Sequence, residues 1–204
     1  AAGGFIMQAQ IRRIFPSRAG SAGFVLDVSI SVESGISALF GPERAGKSAT
    51  LEAIAGLVLP DEGRIEVDGE IWFDARSRVN LEPRRRACCF VPTGGGLFPH
   101  LTLKQNLLFS AGCRRMSRLE RHRRAGEMLE YFSLAAEAGR YPGEVSGSAR
   151  LRAVLARAVI ARPRLLLLDE IARSLDAPLR NEFYQWLRRI RDFADVNIIL
   201  ATSS

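Results

Sequence analysis

Residues 41–50, GPERAGKSAT, leave few folds open to this chain. They read Gly41-x-x-x-x-Gly46-Lys47-Ser48, which is a phosphate cradle when a strand precedes it and a helix follows. GISALF, residues 35–40, is an apolar run of strand length. KSATLEAIAGL, residues 47–57, puts Leu51, Ile54, Ala55 and Leu57 on one helical face, with Gly56 near its end. The bland alternative is a glycine-rich turn that only joins strand to helix. Position, residue types and flanks favour the cradle. Gly41 and Gly46 permit the bend, and the helix adds its positive end. The candidate nucleotide-binding segment is Gly41, Pro42, Glu43, Arg44, Ala45, Gly46, Lys47, Ser48 and Ala49. Lys47 suits the β- and γ-phosphates, and Ser48 suits Mg²⁺.

A second stretch complements the first. RLLLLDE, residues 164–170, is a continuous apolar run closed by two acids. Charge is expensive in a core, so Asp169 and Glu170 should emerge at the strand's carboxyl end, where open parallel sheets bind ligands. Asp169 is then the metal-side carboxylate and Glu170 the candidate general base. The alternative is a pair of acids capping the next helix.

Strand and helix patterns alternate along the chain. GFVLDVSISVE, residues 23–33, reads as a strand, and residues 63–74 read as a hairpin about Asp68-Gly69. RACCFVP is a further strand, and a helix begins near residue 102. Residues 114–140 read as charged helix, 149–161 and PLRNEFYQWLRRIRDFA as helices, and VNIILATSS as a final buried strand. This order implies an α/β fold with a mainly parallel sheet covered on both faces. The 204 residues suit one domain, and no apolar run is long enough to span a bilayer or mark a signal peptide.

Three cysteines, Cys88, Cys89 and Cys113, lack metal-type spacing. Cys88 and Cys89 read as small buried hydrophobes, consistent with a reducing cytosol. Lys+Arg number 29 against 22 Asp+Glu, a net charge of +7. Much of that charge lies in residues 113–132, where Met116, Leu119, Met128, Leu129 and Phe132 are the apolar members. The segment reads as a solvated helix face. With no aromatics interleaved on its basic side, a nucleic-acid platform is poorly supported. His100 and His122 read as surface or packing residues.

The order of motifs resembles the ATP-binding subunit of ABC transporters over nearly the whole chain. ALFGPERAGKSATLEAIAGLVLPDEGRIEVDGEIWFD is similar to the Walker A region and its hairpin. SGSARLRAVLARAVIARPRLLLLDE is similar to the signature helix running into Walker B, and Ser174–Asp176 to the D-loop. LEPRRR with LFPHLTLKQNL resembles importer ATPases, especially the molybdate type. The resemblance implies a RecA-like P-loop NTPase core, an antiparallel β subdomain and a helical subdomain near residues 100–150. It also implies ATP and Mg²⁺ as cofactors, a second ATP-binding subunit, transmembrane permease subunits, and a place at the cytoplasmic face of the membrane. Ser146 and Gly147 are the signature residues that would meet the partner's γ-phosphate.

Three positions depart from the family pattern: Thr93 stands for the Q-loop glutamine, Ser148 for a signature glycine, and Ser203 for the switch histidine. Thr is too short to reach both metal and water, the Cβ of Ser148 crowds a close backbone approach, and a hydroxyl does not replace an imidazole. Phe15 and Phe24 are candidates to stack on adenine, although alternation makes Phe24 a core residue. Family members continue past the switch position, so a truncated chain is expected. At this stage an importer ATPase leads. A subunit that holds ATP without efficient turnover, and a soluble ATPase acting on nucleic acid, stay open.

Overall fold

The structure is a computed structural model that describes residues 5–16, 23–112 and 116–203. Cys113 lies outside the described residues.

Two sheets organise the chain. Strands β3 (Ile36–Phe40), β7 (Cys88–Val91), β8 (Leu165–Asp169) and β9 (Asn197–Thr202) form a parallel sheet in the order β3-β9-β8-β7. Strands β1 (Ile6–Phe15), β2 (Phe24–Glu33), β4 (Glu62–Val67), β5 (Glu70–Asp74) and β6 (Val79–Asn80) form an antiparallel sheet in the order β2-β1-β4-β5-β6. The helices are α1 (Lys47–Ala55), α2 (Leu103–Ala111), α3 (Arg118–Tyr131), α4 (Gly147–Val159) and α5 (Ala177–Ala194).

Strand β8 shows why the parallel sheet is buried on both faces. Leu166 and Leu168 enter a core shared with α2, α3, α4 and α5. Leu165 and Leu167 enter a second core, shared with α1 and the antiparallel sheet. The period of two thus splits one apolar run between two cores. Each fully buried leucine is worth about 1.5–3 kcal/mol. Asp169 ends the strand buried at 5% exposure, its carboxylate engaged by Ser48 and Thr93 at the sheet's carboxyl end.

Local signals set the boundaries. Asp68 and Gly69, at φ 50° and 78°, supply the two left-handed residues of a tight hairpin turn. Gly56 ends α1 at φ 81°, donating its N–H to Ala53 and closing a left-handed cap. Thr102 and Gln105 form a reciprocal capping box at the start of α2.

Several expectations need correction. Leu57 lies beyond the Gly56 cap and is exposed, so it is not part of the α1 face. The helix expected over 114–140 is α3, Arg118–Tyr131, followed by a short 3-10 turn at Ala135–Glu137. Ser133, in the left-handed region at φ 53°, interrupts it. Cys88 and Cys89 are half-buried, because β7 is an edge strand with one side open. The basic segment is not wholly solvated: Arg124 is buried on α3 beside Ala125, Met128 and Leu129, while Leu119 is exposed. Strand β1 has no counterpart in the sequence reading, although Gly3-Gly4 before it and Pro16-Ser17 after it are turn-forming residues. Among the described residues, no helix is long and apolar enough to cross a membrane.

Candidate functional site

Parallel strands deliver the candidate residues to one edge. Phe40 pairs with Thr202 and Asp169 with Ala201, so β3, β8 and β9 end together. The loop after β3 starts at Gly41, whose N–H donates to the Thr202 carbonyl at 3.4 Å. Glu170 follows Asp169 and donates its N–H to the Ala201 carbonyl at 3.1 Å. Ser203 follows β9, and Thr93 lies two residues past β7. Adjacency in the sheet brings together segments far apart in the chain.

The loop wraps around Lys47. Gly46 caps α1 with φ 87°, a left-handed conformation that glycine adopts without strain. The first N–H groups of a helix have no intrahelical partner, and no side chain caps this end of α1. Lys47, 6% exposed, donates to the carbonyls of Gly41 and Pro42 at 2.8 Å each. It also pairs with Glu170 Oε1 at 3.1 Å. A buried ammonium is thus held between two loop carbonyls and one carboxylate.

Glu170 is held from two sides. Lys47 takes Oε1, and Arg173 Nη1 reaches Oε2 at 3.2 Å. Arg173 also pairs with Glu43 of the loop at 2.6 Å. The Lys47 and Arg173 hydrogen bonds hold the Glu170 carboxyl below the usual carboxylate range, with burial opposing them. Glu170 sits at φ 47°, a left-handed backbone unusual for a residue with a side chain. Arg173 is a participant the sequence reading missed. Its one signal was a basic residue three positions after Glu170.

The metal-side pair is in contact. Ser48 Oγ donates to Asp169 Oδ1 at 2.9 Å. Thr93 Oγ1 lies 3.3 Å from both the main-chain oxygen and Oδ2 of Asp169. Three oxygen side chains therefore converge beside the loop, a donor set suited to a hard cation such as Mg²⁺. Among the described residues no cluster of three or more His, Cys, Asp or Glu side chains is present. A divalent ion here would rest on Asp169, Ser48 and the oxygens of its own ligand. Burial, and next the Asp169 charge, push the Glu52 carboxyl up.

Other candidates are elsewhere. Ser146 caps α4 by accepting from the Ala149 N–H at 3.1 Å, and Gly147 opens that helix. A Cβ on Gly147 would meet Leu179 Cδ1 at 3.2 Å. Ser148 turns its hydroxyl toward α5 and donates to Glu182 Oε1 at 2.7 Å, an oxygen that also accepts from Trp186 Nε1 at 3.2 Å. Phe15 and Phe24 stack with centroids 5.9 Å apart. Phe24 is 37% exposed and is not a core residue. It borders the loop, since a Cβ on Gly46 would come within 3.0 Å of its ring. His100 and His122 are both exposed, and His122 Nδ1 lies 2.9 Å from the Arg118 carbonyl.

Comparison with known proteins gives this geometry a family. The ABC transporter family model matches residues 25–173. The sulfate/thiosulfate import ATP-binding protein CysA of Gloeobacter violaceus is 39% identical over 179 residues, 87% of this chain and 50% of that protein. The molybdenum import ATP-binding protein ModC 1 of Azotobacter vinelandii is 37% identical over 186 residues, 91% of this chain and 51% of that protein. The chain thus spans about half the length of the curated relatives it matches. A solved dimeric bacterial ABC transporter cassette superposes with a TM-score of 0.75 at 24% identity, over 98% of this chain and 88% of that one. The superposition establishes the shared α/β fold. Neither the family model nor these relatives support the non-hydrolysing or nucleic-acid alternatives. With its phosphate loop, paired acids and fold in agreement with that model, the chain belongs to the ABC transporter family.

Proposed function

We propose that residues 1–204 act as one ATP-binding unit that binds MgATP and hydrolyses it to drive import of a small oxyanion, of the molybdate or sulfate type. One observation carries the reading: Ser48 Oγ and Asp169 Oδ1 meet at 2.9 Å directly beside Lys47 and Glu170. Relatives named for molybdenum and for sulfate import favour the importer class.

The residues divide the work. Glycine-permitted curvature over Gly41–Gly46 and the free N–H groups at the start of α1 receive the phosphates. Lys47 exchanges the Gly41 and Pro42 carbonyls for phosphate oxygens, and that exchange releases Glu170 Oε1. Ser48 and Asp169 would hold Mg²⁺, which would supply neutralisation of phosphate charge when bound. Glu170, kept ionised by Arg173 after Lys47 leaves, orients and deprotonates water. Thr93 fixes Asp169 through its hydroxyl contact. Phe15 and Phe24 offer an aromatic face for the adenine. The α4 end with Ser146 and Gly147 meets the γ-phosphate held by a second subunit, and the helical arm of α2 and α3 faces the permease. These partners place the protein peripherally, at the cytoplasmic face of the membrane.

A steady-state ATPase assay on Glu170→Gln tests the role of the base. Turnover should fall by about 10² or more with MgATP binding kept. Undiminished turnover would move the base elsewhere.

A further inference from the structure

A row of ion pairs spans the mouth of the phosphate loop. A tight turn closes residues 42–45, with the Ala45 N–H donating to the Pro42 carbonyl at 3.3 Å and Arg44 left-handed at φ 64°. Glu43 lies in that turn. On the other side, the 3-10 turn Ile171–Ser174 carries Arg173 three residues after Glu170, the spacing at which side chains eclipse. Arg173 Nη1 reaches Glu170 Oε2 at 3.2 Å, and Nη2 reaches Glu43 Oε1 at 2.6 Å. Glu170 Oε1 in turn holds Lys47 at 3.1 Å. The charges thus run Glu43–Arg173–Glu170–Lys47 and join the loop to the end of β8.

The two ends of this row differ in burial. The Lys47 and Glu170 side chains are nearly closed off, whereas those of Arg173 and Glu43 are 54% and 60% exposed. An exposed pair shifts an equilibrium by only about two- to fivefold, so Nη2 is readily released. Glu43 also has the wrong sign for its place: it sets a negative charge in a loop suited to phosphates. A polyphosphate that takes Lys47 displaces Glu170 Oε1 and arrives one carboxylate away from Arg173. The guanidinium fork can then keep Nη1 on Glu170 and offer Nη2 to a phosphate oxygen.

We infer, on the reading that this loop binds MgATP, that Arg173 determines specificity for a nucleoside triphosphate over the diphosphate. Its Nη2 passes from Glu43 to the terminal phosphate while Nη1 stays on Glu170. Both nucleotides meet Lys47, but only the triphosphate extends as far as Arg173. The diphosphate, one group shorter, leaves the Arg173–Glu43 pair in place. The residue that steadies the base is thereby engaged only when the group to be transferred is present.

The test is calorimetric titration of the full chain with MgATP and with MgADP at constant ionic strength. The proteins compared are the parent, Arg173→Ala, Arg173→Lys, Glu43→Gln and the double variant Arg173→Ala with Glu43→Gln. Both side chains are more than half exposed, and the backbone bond from the Arg173 N–H to the Glu170 carbonyl depends on neither, so each variant keeps the fold. We expect Arg173→Ala to weaken MgATP about tenfold and MgADP by less than about twofold. Arg173→Lys should recover part of the loss, and Glu43→Gln should tighten MgATP about two- to fivefold. In the double variant the preference for MgATP over MgADP should stay as low as in Arg173→Ala. Equal losses of MgATP and MgADP in Arg173→Ala, or no loss of either, would overturn the inference while leaving the proposed function intact. So would a preference restored in the double variant, since Arg173 would then do no more than neutralise Glu43. A parent that binds neither nucleotide would refute the proposed function and this inference with it.

Discussion

Arg86 offers a test of how the phosphate-loop helix is anchored. It is 2% exposed, and its guanidinium donates to five acceptors. Ala53 and Ile54, at the end of α1, accept at 2.8 and 2.7 Å. Leu81 and Trp72 accept through their carbonyls at 2.9 and 3.3 Å, and Asn80 Oδ1 at 3.1 Å. A cation thus closes the carbonyl end of α1 and ties it to the β5–β6 region, where the helix dipole favours positive charge. In Arg86→Leu not every acceptor is orphaned. Ala53 keeps the Gly56 N–H, and Trp72 keeps the Leu81 N–H. Ile54 is stranded in full and Leu81 in part. At about 1–3 kcal/mol for a stranded buried carbonyl, partly offset by no longer burying a charge, the cost is about 2–4 kcal/mol. Arg86→Lys should lose roughly half as much, because an ammonium lacks the fork that spans these acceptors. Urea unfolding at unchanged m-value reads both numbers. A leucine variant within about 0.5 kcal/mol of the parent would refute the anchoring argument, since that is the range of an ordinary surface change.

Three further outcomes are expected. Gly56→Ala places a Cβ 2.8 Å from Arg86 Cζ at φ 81°, so it should destabilise by about 1–3 kcal/mol; its cost should shrink in an Arg86→Leu background, measured as a double-mutant cycle. Glu170 contributes stability that is fully present above its ordinary value of 4.5 and is lost as pH falls through its depressed folded value, so the stability gap between parent and Glu170→Gln should narrow below about pH 4.5 in acid titrations; a gap independent of pH would contradict the Lys47 and Arg173 contacts. Phe15→Ala should weaken MgATP more than it weakens inorganic triphosphate, by about threefold or more in competition binding, if the half-buried Phe15–Phe24 stack receives the base.

The phosphate loop, β8 with its terminal acids, and the hairpin at Asp68-Gly69 were legible because each is a local signal. Glycine spacing, a period of two and a turn dipeptide need no partner elsewhere. What escaped is non-local. Arg86 reads as one basic residue among PRRR, and only the folded chain shows it inside the α1 terminus. Asn106 is fully buried and binds the carbonyls of Phe98, Leu101 and Thr102, holding a loop together from within α2. The contact of the Ser148 hydroxyl with Glu182 on another helix is likewise non-local. Phe24 alternated as a core residue, but β2 is the edge of its sheet and its end has no cover. Arg124 seemed one more charge on a solvated helix until burial singled it out.

The central claim is that Lys47 leaves its two loop carbonyls and Glu170 to hold a nucleotide's phosphates. Calorimetric titration of parent and Lys47→Ala with MgATP measures this most directly. Binding at least about tenfold weaker, about 1.4 kcal/mol, is expected in the variant. Equal affinity in both proteins would show that the phosphates are not held by this loop.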